Sequence, residues 1–173
     1  MKTVLAPIDF SPISRLVVDE AIVIARGMDA RLVLLHVVPP ATALATEFAE
    51  KEFGANHILR AEKRAMAELT AWQSRLRDEG VTAHAIHRIG QPGSEILDQA
   101  DRLDADYIVM GSHGHGAFYE LLVGSTTMRV LNTAKCAMMI VSPKASAYAK
   151  RKVDRRFVQR VTATREARAA AIA

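Results

Sequence analysis

The chain has 173 residues, half of them hydrophobic and about a quarter charged, a balance that fits one water-soluble globular domain with a sizeable core. Its single cysteine, Cys136, excludes an intrachain disulfide, and no apolar stretch approaches the roughly 20 residues that a membrane-spanning helix needs. The net charge of +4 hides an asymmetry: residues 144–173 carry nine basic and two acidic side chains, whereas residues 1–143 carry fourteen and seventeen, so the whole-chain charge is no sign that the body binds nucleic acid.

Residues 2–8 are short, β-branched and closed by polar residues, which predicts a buried strand. The opening stretch is too short for a signal peptide and contains Asp9, so it reads as part of the mature protein, and a cytoplasmic location is the expectation. Ser11-Pro12 predicts a helix start, with the serine as cap and the proline at the first helical position. Val17, Ala21, Ile24, Ala25 and Met28 follow at helical spacing, and residues 31–38 form a second strand stopped by Pro39-Pro40. Residues 41–54 fit a loop with a helical piece.

From residue 56 to 79 the pattern is a long amphipathic helix, with Ile58, Met66, Leu69, Trp72 and Leu76 on one face and Gly80 as its stop. Residues 81–89 alternate as a third strand, Gly90-Gln91-Pro92-Gly93 turns, and residues 94–103 form a short helix with Ile96, Leu97, Ala100 and Leu103 inward. Residues 107–110 are a fourth strand, residues 124–133 another helix, and residues 136–141 a fifth strand closed by Pro143. This alternation predicts an α/β fold: an open five-stranded parallel sheet with helices on both faces, Rossmann-like in architecture; right-handed crossovers leave few topologies, of which the order 3-2-1-4-5 is the expectation. The domain runs over residues 1–143. Residues 144–173 form a basic, partly helical tail in which Val153, Phe157 and Val161 make a narrow apolar stripe.

The chemistry concentrates in GSHGHGAFYELLVGST, residues 111–126. Gly111 follows a strand directly, Gly114 comes three residues later, and Gly124-Ser125 opens a helix. Glycines let a backbone turn sharply and approach an anion, and free amides at a helix N-terminus attract negative charge. Ser125 adds a hydroxyl donor. With strand order 3-2-1-4-5 the switch point lies between the first and fourth strands, which brings Asp9 toward this loop.

The spacing Gly111, Gly114, Gly124, Ser125 resembles the nucleotide-binding pattern of universal stress proteins. VLAPIDFSPIS is similar to that family's first strand and helix cap, and LLHVV, residues 34–38, to its second strand. The resemblance spans residues 1–143 and implies an ATP-binding member; a magnesium ion could accompany the ATP, held mainly by phosphates and water. It implies that Asp9, with Pro7, faces the ribose or adenine. Val37 would offer backbone groups to the adenine edge, and Met110 and Gly111 would line the ribose. Gly114, Gly124, Ser125 and Thr126 would surround the phosphates. It further implies a homodimer paired through the fifth strand, from Cys136 to Val141, and a stress-response or signalling role exercised through an unnamed protein partner. The chain departs from the family in placing His113 and His115 where Arg or Lys is common, and Ala137 in a proline slot of the last strand.

His113 and His115 lack the further local ligands of a zinc site, so no metal centre is expected. His36, His84 and His87 read as strand residues, and Cys136 as a small core residue. There is no Walker lysine, no Gly-x-Ser-x-Gly elbow, no kinase signature and no identifiable general base, so no catalytic residue is assigned and a dedicated enzyme is not indicated. Two other functions stay open at this level. One is an interaction protein that binds no nucleotide and docks a partner through the basic tail; the other is a slow ATPase. Nucleic acid is not indicated, because too few aromatics are present for base stacking.

Overall fold

The computed structural model of the chain describes residues 1–40, 54–112 and 123–142, with backbone alone at 54–59 and 61. The described residues belong to one compact unit, Met1–Ser142. Five strands, β1 (Thr3–Pro7), β2 (Arg31–Val38), β3 (Ala83–Ile89), β4 (Tyr107–Gly111) and β5 (Ala137–Val141), alternate with four described helices. These are α1 (Pro12–Met28), α2 (Gly54–Asp78), α3 (Pro92–Arg102) and α4 (Ser125–Thr133). All neighbouring strands pair in parallel, as the alternation predicts, and their order β3-β2-β1-β4-β5 is the expected one.

The period-two geometry of the strands divides the core between two faces. Val4, Ala6, Leu32, Leu34 and Val109 pack with α1 and with Leu69 and Leu76 of α2. Leu5, Val33, Leu35, Ile108 and Met110 pack with Ile96 and Ala100 of α3 and Val130 of α4. The central strands are apolar on both sides because helices cover both, the usual condition of a parallel sheet. Every buried Leu or Val adds roughly 1.5–3 kcal/mol by leaving water.

Helix stops follow local chemistry. Gly80 takes φ +73° after α2; its amide donates to the Arg77 carbonyl and the Val81 amide to the Leu76 carbonyl. These are the paired bonds of a Schellman ending, which needs a left-handed residue. Asp29 and Asp104 hold the left-handed position after α1 and α3, and Ala30 and Ala105 reach back five residues in the same way.

Several sequence expectations shift. α3 starts at Pro92, inside the Gly90–Gly93 segment read as a turn, because proline suits the first helical position. β3 starts two residues late, at Ala83, and as an edge strand it lacks clean alternation. On α2 the buried stripe is Ala65, Leu69 and Leu76 with Trp72 beside it, while Met66 points to solvent. Hydrophobicity alone does not mark the inward position, because Ala65, the small residue next door, occupies it. Residues 41–53, the Ile58 side chain, the loop of His113, Gly114 and His115, and the tail stripe Val153, Phe157 and Val161 lie outside the described residues.

Candidate functional site

The chain winds outward from β1 to β2 and β3, then crosses back to β4 and β5. The reversal leaves a crevice at the carboxyl ends of β1 and β4, the place where open α/β sheets take ligands. Val4 pairs with Tyr107 and Leu5 with Ile108, so continuing this register sets Pro7 level with Met110. Pro7 ends β1 half-buried, Met110 is buried in β4, and Gly111 is its last residue. Val37 lies half-buried near the end of β2, the other neighbour of β1. The structure thus gathers Pro7, Asp9, Met110 and Gly111 at one end of the sheet, with Val37 one strand over. Gly114 lies outside the described residues.

Asp9 follows β1 and is held by a network of short polar side chains. Its Oδ1 accepts from the Ser11 amide at 3.0 Å, from the Ser11 hydroxyl, and from the Ser14 hydroxyl at 3.0 Å. The Asp9 amide in turn donates to Ser14 Oγ at 3.3 Å. Ser11 is the N-cap residue of α1 but makes no side-chain cap bond, contrary to the capping expected of it. Its hydroxyl instead donates to the Asp9 carboxylate, and the direction it takes to do so leaves its oxygen off the amides of the first turn. Ser11 and Ser14 are both buried, so removing their acceptor leaves buried donors unpaired. Asp9→Ala is expected to lower unfolding free energy by about 1–3 kcal/mol. Urea titration checks this, and a midpoint equal to wild type refutes it.

α4 begins beside the end of β4. Gly124 is its N-cap, with φ −61° and ψ 150°, and no side chain caps it. The Gly124 amide donates to the Ser112 carbonyl at 2.8 Å, and the Ser112 amide to the Val141 carbonyl at 2.8 Å. Thr127 Oγ1 donates to the Gly111 carbonyl at 2.9 Å. Two bonds, from Gly124 and Thr127, therefore clamp the helix start to the end of β4, and the Ser112 amide ties that end to β5. The first helical amide with a carbonyl four residues back is that of Met128, bonded to Gly124. The amides of Ser125, Thr126 and Thr127 precede that ladder, at the positive end of the helix dipole. Ser125 is exposed and Thr126 half-buried, whereas Thr127 is buried as the anchor. Sequence reasoning missed Thr127; the only signal was a hydroxyl at the third helical position of GSTT.

It also missed an aromatic and imidazole cluster at the same sheet end. His36 of β2 stands beside its register partner His87 of β3, ring centres 6.0 Å apart, and against Phe10 at 4.4 Å. His36 Nδ1 lies 2.8 Å from the Ile8 carbonyl and so carries the proton donated to it. Burial holds the His36 pKa below the ordinary histidine range, helped by the neighbouring His87 and opposed by the Ile8 bond, Asp9 and Glu68. Phe10 adopts φ +61°, a left-handed backbone that costs a non-glycine residue about 1–2 kcal/mol. Such an outlier directly after Asp9 marks a locally constrained chain. The histidines are indeed strand residues, but only the parallel register reveals that they are neighbours. Among the described residues no group of three His, Cys, Asp or Glu is arranged to hold a metal ion.

The described residues are consistent with what comparison finds. A sequence model described as the universal stress protein family matches residues 1–142. Universal stress protein A homolog 2 of Coxiella burnetii is 32% identical over 149 residues, covering 84% of this chain and 97% of that protein. Universal stress protein UspA from Lactobacillus plantarum superposes with a TM-score of 0.67 at 27% identity, over 81% of this chain and 97% of its own. A universal stress protein solved in complex with cAMP matches with a TM-score of 0.59 at 25% identity, over 82% of this chain and 96% of that one.

Proposed function

Because this chain belongs to the universal stress protein family, we propose that it binds an adenine nucleotide, ATP with magnesium, at the carboxyl ends of β1 and β4 and serves as a stress-response or signalling module. The observation that carries this reading is the uncapped start of α4. Three successive amides, held by the Thr127 and Gly124 bonds to the end of β4, stand beside the switch point of the sheet with no backbone partner among the described residues. A polyphosphate supplies the acceptors and negative charge that such a helix end attracts. Asp9, held rigidly by Ser11 and Ser14, presents a carboxylate suited to ribose hydroxyls across the crevice. Pro7, Val37, Met110 and Gly111 make the walls, and Gly114, Gly124, Ser125 and Thr126 the phosphate side. The related protein solved with cAMP supports an adenine ligand.

The module works by binding rather than turnover in this reading, in the cytoplasm. No helix among the described residues is long and apolar enough to cross a membrane. β5 is a sheet edge, with Ala137 exposed and Met138, Met139 and Ile140 half-buried. An unpaired edge invites pairing, and a two-fold related copy would cover it, so the protein acts as a homodimer through this strand.

Calorimetric titration with ATP and magnesium tests the reading, with Gly114→Val as the blocked-loop variant. Binding by the wild type that the variant weakens at least about tenfold, or about 1.4 kcal/mol, is expected. A folded wild-type protein that takes up no ATP at about millimolar concentration, roughly 4 kcal/mol of binding, defeats it.

A further inference from the structure

Gly93 is buried at the second position of α3, with no left-handed backbone angle to require a glycine. What requires it is a neighbour. A side-chain carbon at 93 would lie 2.7 Å from Cδ of Arg129, 3.4 Å from its Cγ and 3.5 Å from its Nε. The aliphatic stem of Arg129 thus lies directly on the backbone of the first turn of α3. Arg129 stands four residues after Ser125 on α4, on the same helix face, and side chains on a helix lean toward its N-terminus. The stem therefore carries the guanidinium group into the space between α3 and α4, where both helices begin at the carboxyl edge of the sheet.

The head is a fixed charge without a counter-ion among the described residues. Arg129 makes no ion pair and donates no hydrogen bond among the described residues, whereas Arg102 on α3 is paired with Asp98 at 2.7 Å and Lys135 with Asp101 at 2.8 Å. The acid of the first turn of α3, Glu95, folds its carboxylate over Gly90 instead. Glu95 thus answers the positive end of α3, while Arg129 and the open start of α4 lie on one helix without an acid beside them among the described residues, an arrangement that an anion relieves.

We propose that Arg129 is the side chain that meets the polyphosphate of the bound nucleotide, so that the site selects adenosine di- and triphosphate over the monophosphate and the nucleoside. This rests on the nucleotide reading above. It also supplies a cation where the glycine loop itself offers only His113 and His115.

The test is calorimetric titration of wild type, Arg129→Ala and Gly93→Ala with ATP, ADP, AMP and adenosine. Arg129→Ala is expected to weaken ATP and ADP about tenfold or more, the size of a lost charge-assisted bond, while adenosine changes less than about twofold. Gly93→Ala keeps the charge but pushes the stem aside, and is expected to give the same ranking of losses. Equal weakening of all four ligands by Arg129→Ala, or unchanged ATP affinity, overturns the assignment while leaving nucleotide binding intact. A wild-type protein that binds none of the four removes the nucleotide reading, and this inference with it. Arg129 is exposed, so its alanine variant is expected to unfold at the wild-type urea midpoint, which separates a binding effect from misfolding.

Discussion

Leu34→Ala is expected to lower the free energy of unfolding by about 3 kcal/mol, the typical cost of emptying a fully buried leucine site. Leu34 is wholly buried in β2, the strand between β1 and β3, and belongs to the cluster that joins the sheet to α1 and α2. Truncation removes the transfer free energy of the lost carbons and leaves a cavity, because Ala6 in register on β1 and Ala85 on β3 are too small to fill it. A domain of this size is stable by only about 5–15 kcal/mol, so the loss is a large share. Urea unfolding measures it through the midpoint at unchanged slope. A change below about 1 kcal/mol would mean that α1 or α2 collapses into the gap, and that the packing is looser than the burial indicates.

The second large effect is set by pH. The His36 pKa is lowered in the folded protein, first by burial. The unfolded chain therefore takes up this proton before the folded one does. Stability is complete above the ordinary histidine pKa of about 6.5 and declines as pH falls from there through the lowered folded value. Below that value both states are protonated and the curve flattens. The slope for one such proton is at most about 1.4 kcal/mol per pH unit. The groups facing the ring are His87 from β3, Asp9 and the Ile8 carbonyl from the end of β1, and Glu68 from α2. Asp9 and Glu68 favour the imidazolium, so the decline is shallower than burial alone would give. Urea midpoints at about pH 7.5 and about pH 5, above and below the unfolded histidine value, test this in wild type and in His36→Asn. Asparagine keeps a donor near the Ile8 carbonyl without titrating. The variant is expected to lose less stability on acidification than wild type; parallel behaviour of the two proteins would assign the acid response to other groups.

Sequence by itself determined the architecture. The alternation of strand and helix periods and the β-branched strand cores point to a parallel sheet covered on both faces, the right-handed crossover rule leaves few topologies, and the observed order β3-β2-β1-β4-β5 is the one expected. These are local signals repeated along the chain, so errors at single residues average out. The misplaced start of α3 and the outward Met66 moved boundaries and faces without moving the fold. The phosphate side of the candidate site was legible for the same reason: the glycines, Ser125 and Thr126 are near in sequence, and their spacing carries the signal.

What tertiary structure alone decided are the partnerships between residues far apart in the chain. Asp9 was visible as a carboxylate after a strand, but one of its oxygens binds both Ser11 and Ser14, which makes it part of the scaffold of α1 as well as a candidate ligand group. His36 and His87 are fifty-one residues apart and become neighbours only through the parallel register. Gly93 looked like a turn glycine, and only the packing of α3 on α4 shows that Arg129 lies across it. No local propensity encodes such pairs, because each side chain has an ordinary reading in its own segment. Their meaning arises when folding removes the water between them and fixes which groups must satisfy one another.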